Sequence, residues 1–208
     1  RALAAAAERA ARAEERLVAG RAALGRTLFL LRCRRAKLAE QLRHIYPIEH
    51  SGQGNYNIRG IEIPSDLSQL WSREDEQIGT ALGFICHILL MLSKYLMSPL
   101  PYRILYNPSR SMIYDHLTHN IEFPLYKRGA ERERFERGLA LLDRDLDALL
   151  CEQGLYQLAG GGGGLGAGSV GAGGAGAPAP PLLRKLRELL GWLGAYYAAD
   201  GSRSLGLL

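Results

Sequence analysis

Leu17, Leu24, Leu31, Leu38 and Ile45 stand at a strict seven-residue interval, with Leu3 and Ala10 on the same register. A helix drifts off a straight stripe at 3.6 residues per turn, so apolar residues recurring every seven mark a helix that lies along another helix. Residues 1–46 are therefore expected to form a coiled-coil helix, its seam lined by Leu17, Leu24, Leu28, Leu31, Leu38, Leu42 and Ile45.

The second row of that seam is imperfect. It is either Ala7, Glu14, Arg21, Leu28, Arg35 and Leu42, or Ala6, Ala13, Gly20, Thr27, Arg34 and Gln41. Arginine in a seam disfavours pairing with an identical helix, because two desolvated guanidinium groups would face each other. Up to Ile45 the chain carries eleven Lys or Arg against four Glu, a local net of +7, while the whole chain is only +5. That asymmetry predicts a different, acid-bearing partner helix, since charges beside a seam select partner and orientation. The alternative is a lone Ala/Arg-rich helix, solvated over most of its surface.

The remaining length is enough for one small domain. The chain opens on Arg1 rather than Met and is expected to be a piece of a longer protein. No signal peptide is expected, because the apolar run at residues 3–7 is short and is followed by charge. Cys33, Cys86 and Cys151 are odd in number and widely spaced, which points to neither a disulfide framework nor a zinc site and fits a reducing compartment. Residues 78–97 are long and apolar enough to test as a membrane span. With His87 and Lys94 inside and charge immediately before, a buried core helix is expected instead.

Along the chain, residues 51–57 read as a turn-rich joint and residues 56–63 as one strand stopped by Pro64. Ser72 and Asp75 have the spacing of a capping box ahead of a helix over 74–97. Residues 102–106, 111–115 and 122–126 form aromatic and β-branched runs broken by Asn, Pro and Ser, which predicts a small sheet. A helix is expected over 132–152, with Phe135, Leu139, Leu142, Leu146 and Leu149 on one face. The Gly/Ala/Pro-rich stretch at 160–181 cannot bury a core and is expected to be a flexible insertion; with no Gly-Lys-Ser/Thr after it, it does not read as a phosphate loop. A third helix is expected over 182–198, with Leu182, Leu186, Leu189, Leu190, Leu193 and Tyr197 on one face and Arg184, Lys185, Arg187 and Glu188 elsewhere. The fold class is α+β: a coiled coil at 1–46, a β-α domain at 47–159, the insertion, and an amphipathic helix and tail at 182–208 packing on that domain.

No catalytic constellation assembles, so the chain is not expected to be an enzyme, and neither cofactor nor metal is expected. His116 and His119 beside Asp115 are explained by a polar loop as well as by a metal cluster, and His87 by a hydrogen-bonded core residue. Arg110 between Ser109 and Ser111 suggests an anion-binding turn or a plain one. The mixed-sign run at 127–137 reads as an exposed helix face rather than a nucleic-acid site. Trp192, Tyr196 and Tyr197, with Arg184, Lys185 and Arg187 on the same helix, form a possible lipid-interface face; closure of the β-α domain is the competing role.

Several short motifs run in a familiar order over about a hundred residues: Ile58-Arg59-Gly60 with Pro64, Ala81-Leu82-Gly83 with His87, Pro99-Leu100 with Tyr102, Ser109-Arg110-Ser111, Glu122-Phe123-Pro124-Leu125-Tyr126 with Gly129, and Leu141-Leu142 with Leu146. In this the chain resembles the UV radiation resistance-associated protein family, which includes vacuolar-sorting equivalents and, more distantly, the autophagy protein Barkor. Pro101, Arg103 and Pro108 depart from the family's usual residues, and the 160–181 insertion is foreign to it. The resemblance implies a Beclin-like β-α domain and a coiled coil that pairs with a Beclin homologue. It also implies a non-catalytic place beside the class III phosphatidylinositol 3-kinase catalytic subunit and its pseudokinase-like regulatory subunit. The location implied is cytoplasmic, peripheral on endosomal and autophagic membranes, in endosomal sorting and autophagy. The alternatives are an autophagy-specific, Barkor-type subunit, or a stand-alone basic coiled coil that binds anionic membrane or nucleic acid.

Overall fold

The structure is a computed structural model. It describes residues 1–52, 54–116, 121–159 and 181–204, with the side chains at 68, 75 and 197–204 outside the description. The expected insertion at 160–181 therefore falls almost wholly outside the described residues, as does His119.

A single helix, α1 (Ala2–Ile45), forms the first part of the chain. Alanine, leucine and arginine, all strong helix formers, dominate it, and Pro47 stops it. Its early turns are exposed almost without exception, whereas Ala39, Leu42 and Tyr46 are buried. The helix thus projects from the body and is rooted in it by its last turns.

The expected joint and single strand are instead a three-stranded antiparallel sheet: β1 (Ile48–Gly52), β2 (Asn55–Ile58) and β3 (Ile61–Ile63), in that spatial order. Register pairs Ile48 with Ile58 and Tyr56 with Ile63. The predicted strand over 56–63 is broken at Arg59-Gly60, where both residues have positive φ, 49° and 81°. Two successive left-handed residues match the right-handed twist of a two-residue hairpin. Arg59 accepts that conformation while its guanidinium donates to the Ile45 carbonyl at 2.9 Å, tying the turn to the end of α1.

A 3-10 turn (Leu67–Ser72) leads into α2 (Asp75–Leu96). The expected capping box does not form: Glu74 is the N-cap without a side-chain cap bond, and Ser72 donates to the Gln69 carbonyl at 2.8 Å. By length and composition α2 could cross a membrane. Here Ile78, Leu82, Ile85, Ile88, Leu89 and Leu92 are buried inside the protein, as a helix apolar nearly all round requires.

A second antiparallel meander follows, β4 (Arg103–Leu105), β5 (Met112–Asp115) and β6 (Ile121–Pro124), where the small sheet was expected. The connection between β4 and β5 crosses directly over α2. A Cβ on Gly83 would collide with the Pro108 carbonyl, and one on Gly79 would lie 2.6 Å from the Ser109 oxygen. Two glycines one turn apart thus let backbone pack on backbone.

Helix α3 (Arg132–Glu152) buries Phe135, Leu139, Leu142, Leu146 and Leu149 as expected. It packs against both the second sheet and α2. The last helix, α4 (Leu182–Ser204), runs antiparallel along the later turns of α1 and also touches α3 and β2. The architecture is mixed α+β: a long N-terminal helix, two small antiparallel sheets and further helices around one core.

Candidate partner-binding surface

The seven-residue repeat can be traced in three dimensions. Leu17, Leu24, Leu28 and Leu31 lie between 44% and 63% exposed, and Ile45 is 50% exposed. An aliphatic row that wet is a candidate interaction surface, since each such leucine would gain ~1.5 to 3 kcal/mol on burial. Leu38 is half-buried. Leu42 departs from the predicted seam: at 3% exposure it points into the chain's own core, because the helix is already docked at that level. The usable stripe thus lies on the projecting turns and ends near Leu31.

Basic side chains flank it. Arg12 pairs with Glu8 at 3.4 Å and Arg43 with Glu40 at 2.8 Å, both along the helix and well exposed. Such pairs add little to stability. The local surplus of cation over carboxylate therefore faces outward, available to an acidic partner.

The root of α1 is held by a polar contact that needs α2. The Tyr46 hydroxyl and His87 Nδ1 are 2.8 Å apart, and the His87 ring lies between Tyr46 and Tyr106, with centroid separations of 5.7 and 5.1 Å. His87 is the hydrogen-bonded core residue expected of it, and burial pushes the Tyr46 phenol up.

The C-terminal helix behaves differently from the reading of its sequence in one respect. Lys185, expected on the outer face, is fully buried. Its Nζ donates to Asp143 at 2.8 and 2.9 Å and to Asp147 at 2.7 Å, both on α3. Burial pushes the Asp143 carboxyl up, opposed by Lys185. A carboxylate pair at i and i+4 beside a leucine face was the available signal for a buried cation. Trp192 is half-buried and packs against the core, stacked on Tyr196 with centroids 4.5 Å apart and planes at 14°. Tyr196 is 46% exposed; the Tyr197 side chain lies outside the described residues.

The other candidates resolve into structure. Ser111 is buried and donates to the Asn107 carbonyl at 2.7 Å, closing its turn, while Arg110 lies 5.9 Å from the Tyr126 ring centre. Asp115 is buried and lies 3.9 Å from Arg137. Arg132 pairs with Glu136 along α3 at 2.7 Å, in keeping with a mixed-sign outer face. Cys86 is buried, its thiol pushed up to about 12. Among the described residues no three His, Cys, Asp or Glu side chains group as a metal site. What the geometry offers is an interaction surface, an exposed leucine row on a basic rod.

Comparison with known proteins gives that surface a context. The profile of the family described as "Vacuolar sorting 38 and autophagy-related subunit 14" matches residues 27–155, more than half of the chain. The chain is 34% identical over 130 residues to the UV radiation resistance-associated protein of Mus musculus, covering 60% of this chain and 18% of that protein. It is 35% identical over 119 residues to the vacuolar protein sorting-associated protein 38 of Schizosaccharomyces pombe, covering 55% of this chain and 24% of that one. The chain spans no more than about a quarter of the length of these relatives. The matched region takes in the later turns of α1, both sheets, α2 and α3, and this chain belongs to the vacuolar sorting 38 and autophagy-related subunit 14 family.

Proposed function

We propose that this chain is a non-catalytic regulatory and scaffold subunit of a class III phosphatidylinositol 3-kinase complex. It pairs through α1 with the coiled coil of a Beclin homologue and supports phosphatidylinositol 3-phosphate production in endosomal sorting and autophagy. The catalytic kinase subunit and the pseudokinase-like regulatory subunit complete the assembly, and the β-α part of this chain is a domain of Beclin-like fold. The observation that carries the reading is the exposed row Leu17, Leu24, Leu28 and Leu31 on a helix with a net charge of +7. An acidic helix of another protein covers that row at lower electrostatic cost than a second basic copy does. The family membership supplies the kind of complex, and the sorting-type relatives favour endosomal sorting over a purely autophagic role.

Residence on endosomal and autophagic membranes is proposed for the assembled complex. Of the described aromatic side chains considered for lipid contact, Trp192 packs inward and Tyr196 is exposed. Size-exclusion chromatography of the chain with the Beclin homologue tests the pairing. Replacing Leu17, Leu24 and Leu31 together by Asp should abolish the heterodimer and leave the melting temperature of the chain nearly unchanged, because all three are exposed here. An intact complex would overturn the pairing. A stand-alone basic module binding anionic membrane or nucleic acid would instead lose its ligand steeply as salt rises.

A further inference from the structure

The exposed leucine row does not simply stop; it runs into a cleft built by α1, α4 and the end of α3. Leu28 and Leu31, the last exposed leucines of the row, line an open cleft of about 330 Å³ together with Arg32 and Arg35 of α1, Glu152 and Gln153 at the end of α3, and Trp192 and Tyr196 of α4. One wall is the flat stack of Trp192 on Tyr196, made stiff by the packing of Trp192 on the core. Arg35 supplies charge. Its Nε is buried and has no hydrogen-bond acceptor among the described residues, an arrangement that leaves a guanidinium donor uncompensated. Beyond the cleft the chain's own α4 runs along α1, so that a Cβ on Gly194 would lie 3.5 Å from Glu40.

These features specify an occupant. Glu152, the cleft's own carboxylate, accepts from Ser98 and leaves Arg35 Nε without an acceptor, so the stacked rings call for an apolar side chain and Arg35 for a carboxylate from the occupant. The cleft continues the leucine row, so a helix lying along Leu17 and Leu24 reaches it without changing direction. A second copy of this chain would bring eleven more cations against four carboxylates in the same stretch, which the charge already here opposes.

We propose that the cleft is the terminal socket of the coiled coil: the acidic partner helix seats an apolar side chain against the Trp192–Tyr196 stack and pairs a Glu or Asp, about one turn away, with Arg35. The proposal rests on the heterodimeric reading of α1 and adds to it a register. The paired segment ends where Trp192 and Tyr196 of α4 come to lie against α1, and α4 acts as the stop. A helix slipped by one heptad, about 10 Å along its axis, would leave Arg35 without its acceptor and the ring stack uncovered.

Photo-crosslinking in the complex of the full chain with the Beclin homologue separates the socket from the coiled coil. A benzophenone side chain is placed at Leu24 in one preparation and at Tyr196 in another, and adducts are mapped by mass spectrometry. Both should label the partner, at sites within about three helical turns of each other. Labelling from Leu24 but not from Tyr196 overturns the socket and leaves the coiled coil standing, as does a Tyr196 adduct on lipid or on a second copy. No partner adduct from either position overturns the coiled coil itself. As a second readout, Arg35→Met should weaken heterodimer affinity about tenfold, against about twofold or less for the exposed Lys37→Met. Equal effects of the two would mean that Arg35 acts only through long-range charge, and the socket would be wrong.

Discussion

Helices α1 and α4 both carry a leucine stripe, and the structure treats them in opposite ways. In α4, Leu182, Leu183, Leu186, Leu189, Leu190 and Leu193 are all at 2% exposure or less, and even Lys185 is drawn inside. In α1, the leucines up to Leu31 stay wet. The two sequences hint at why. The α4 residues recur at spacings of three and four and fill a broad face, which a single domain can cover on two sides. The α1 residues recur every seven, a narrow line suited to one neighbouring helix, and the positions beside it hold arginine. A broad stripe is folded inward, taking even a lysine with it; a narrow one flanked by charge stays exposed on this chain.

The most damaging way to test this contrast is to put the same charge in both stripes. Leu186→Asp should destabilise the chain by at least about 5 kcal/mol, because it removes a fully buried side chain and strands a carboxylate against α1 and α3. Thermal melting should show α4 lost or the chain unfolded. Next in size, Lys185→Ala leaves Asp143 and Asp147 facing each other without their cation and should cost about 3 to 5 kcal/mol. Replacing all three residues together by apolar ones of similar size should recover most of that loss, since a buried ion network contributes little net stability over good packing.

An effect that is smaller within any one pH unit separates the packed body from the projecting helix by pH. Asp145 of α3 accepts from the Tyr102 backbone N–H at 2.8 Å, but its other oxygen is buried without a partner, and burial pushes its carboxyl up to about 8. The unfolded chain releases this proton near pH 4, its ordinary value, while the folded chain holds it to about pH 8. Between those values the folded state binds more protons, so the stability is fully present below about pH 4 and is lost as pH rises toward 8, on the order of 1 kcal/mol per unit. Asp145→Asn should flatten the fall in melting temperature over that range. An unchanged slope would assign the titration to another group.

The smallest effect is the informative one for α1. Leu24→Asp alone should change the melting temperature of the isolated chain by less than about 0.5 kcal/mol equivalent, as an exposed substitution does. The same change should weaken the heterodimer far more than that. A large loss of stability in the isolated chain would show that α1 is covered by its own protein in solution, and the comparison with α4 would collapse.

How far the sequence carried the reading differs from element to element. The ranges of α1, α2 and α3 were legible to within a residue or two, because hydrophobic period and stop signals are local. The first sheet was not. Strand periodicity continues through Ile58, Ile61 and Ile63, and the break at Arg59-Gly60 depends on an arginine taking a left-handed conformation that its contact with Ile45 supports. The capping box failed for a related reason: the helix starts at Asp75 with Glu74 as its N-cap, so Ser72 sits in the preceding 3-10 turn, where its hydroxyl donates to the Gln69 carbonyl. At the candidate surface, Leu17, Leu24, Leu28 and Leu31 were found from spacing alone. Arg35 passed as one more seam arginine, since its buried Nε is created by a cleft that needs α4.

The sequence by itself determined that a long basic helix with a heptad line would precede an α+β body, since periodicity and charge are properties of neighbouring residues. Only the tertiary structure decided which leucines face outward. Burial is settled by residues far apart in the chain: Lys185 is neutralised by Asp143 and Asp147 on α3, and Leu42 is buried at the end of a helix that Tyr46 ties to His87 on α2. No local pattern contains those partners, so the boundary between the stripe kept inside and the stripe left exposed is drawn by packing.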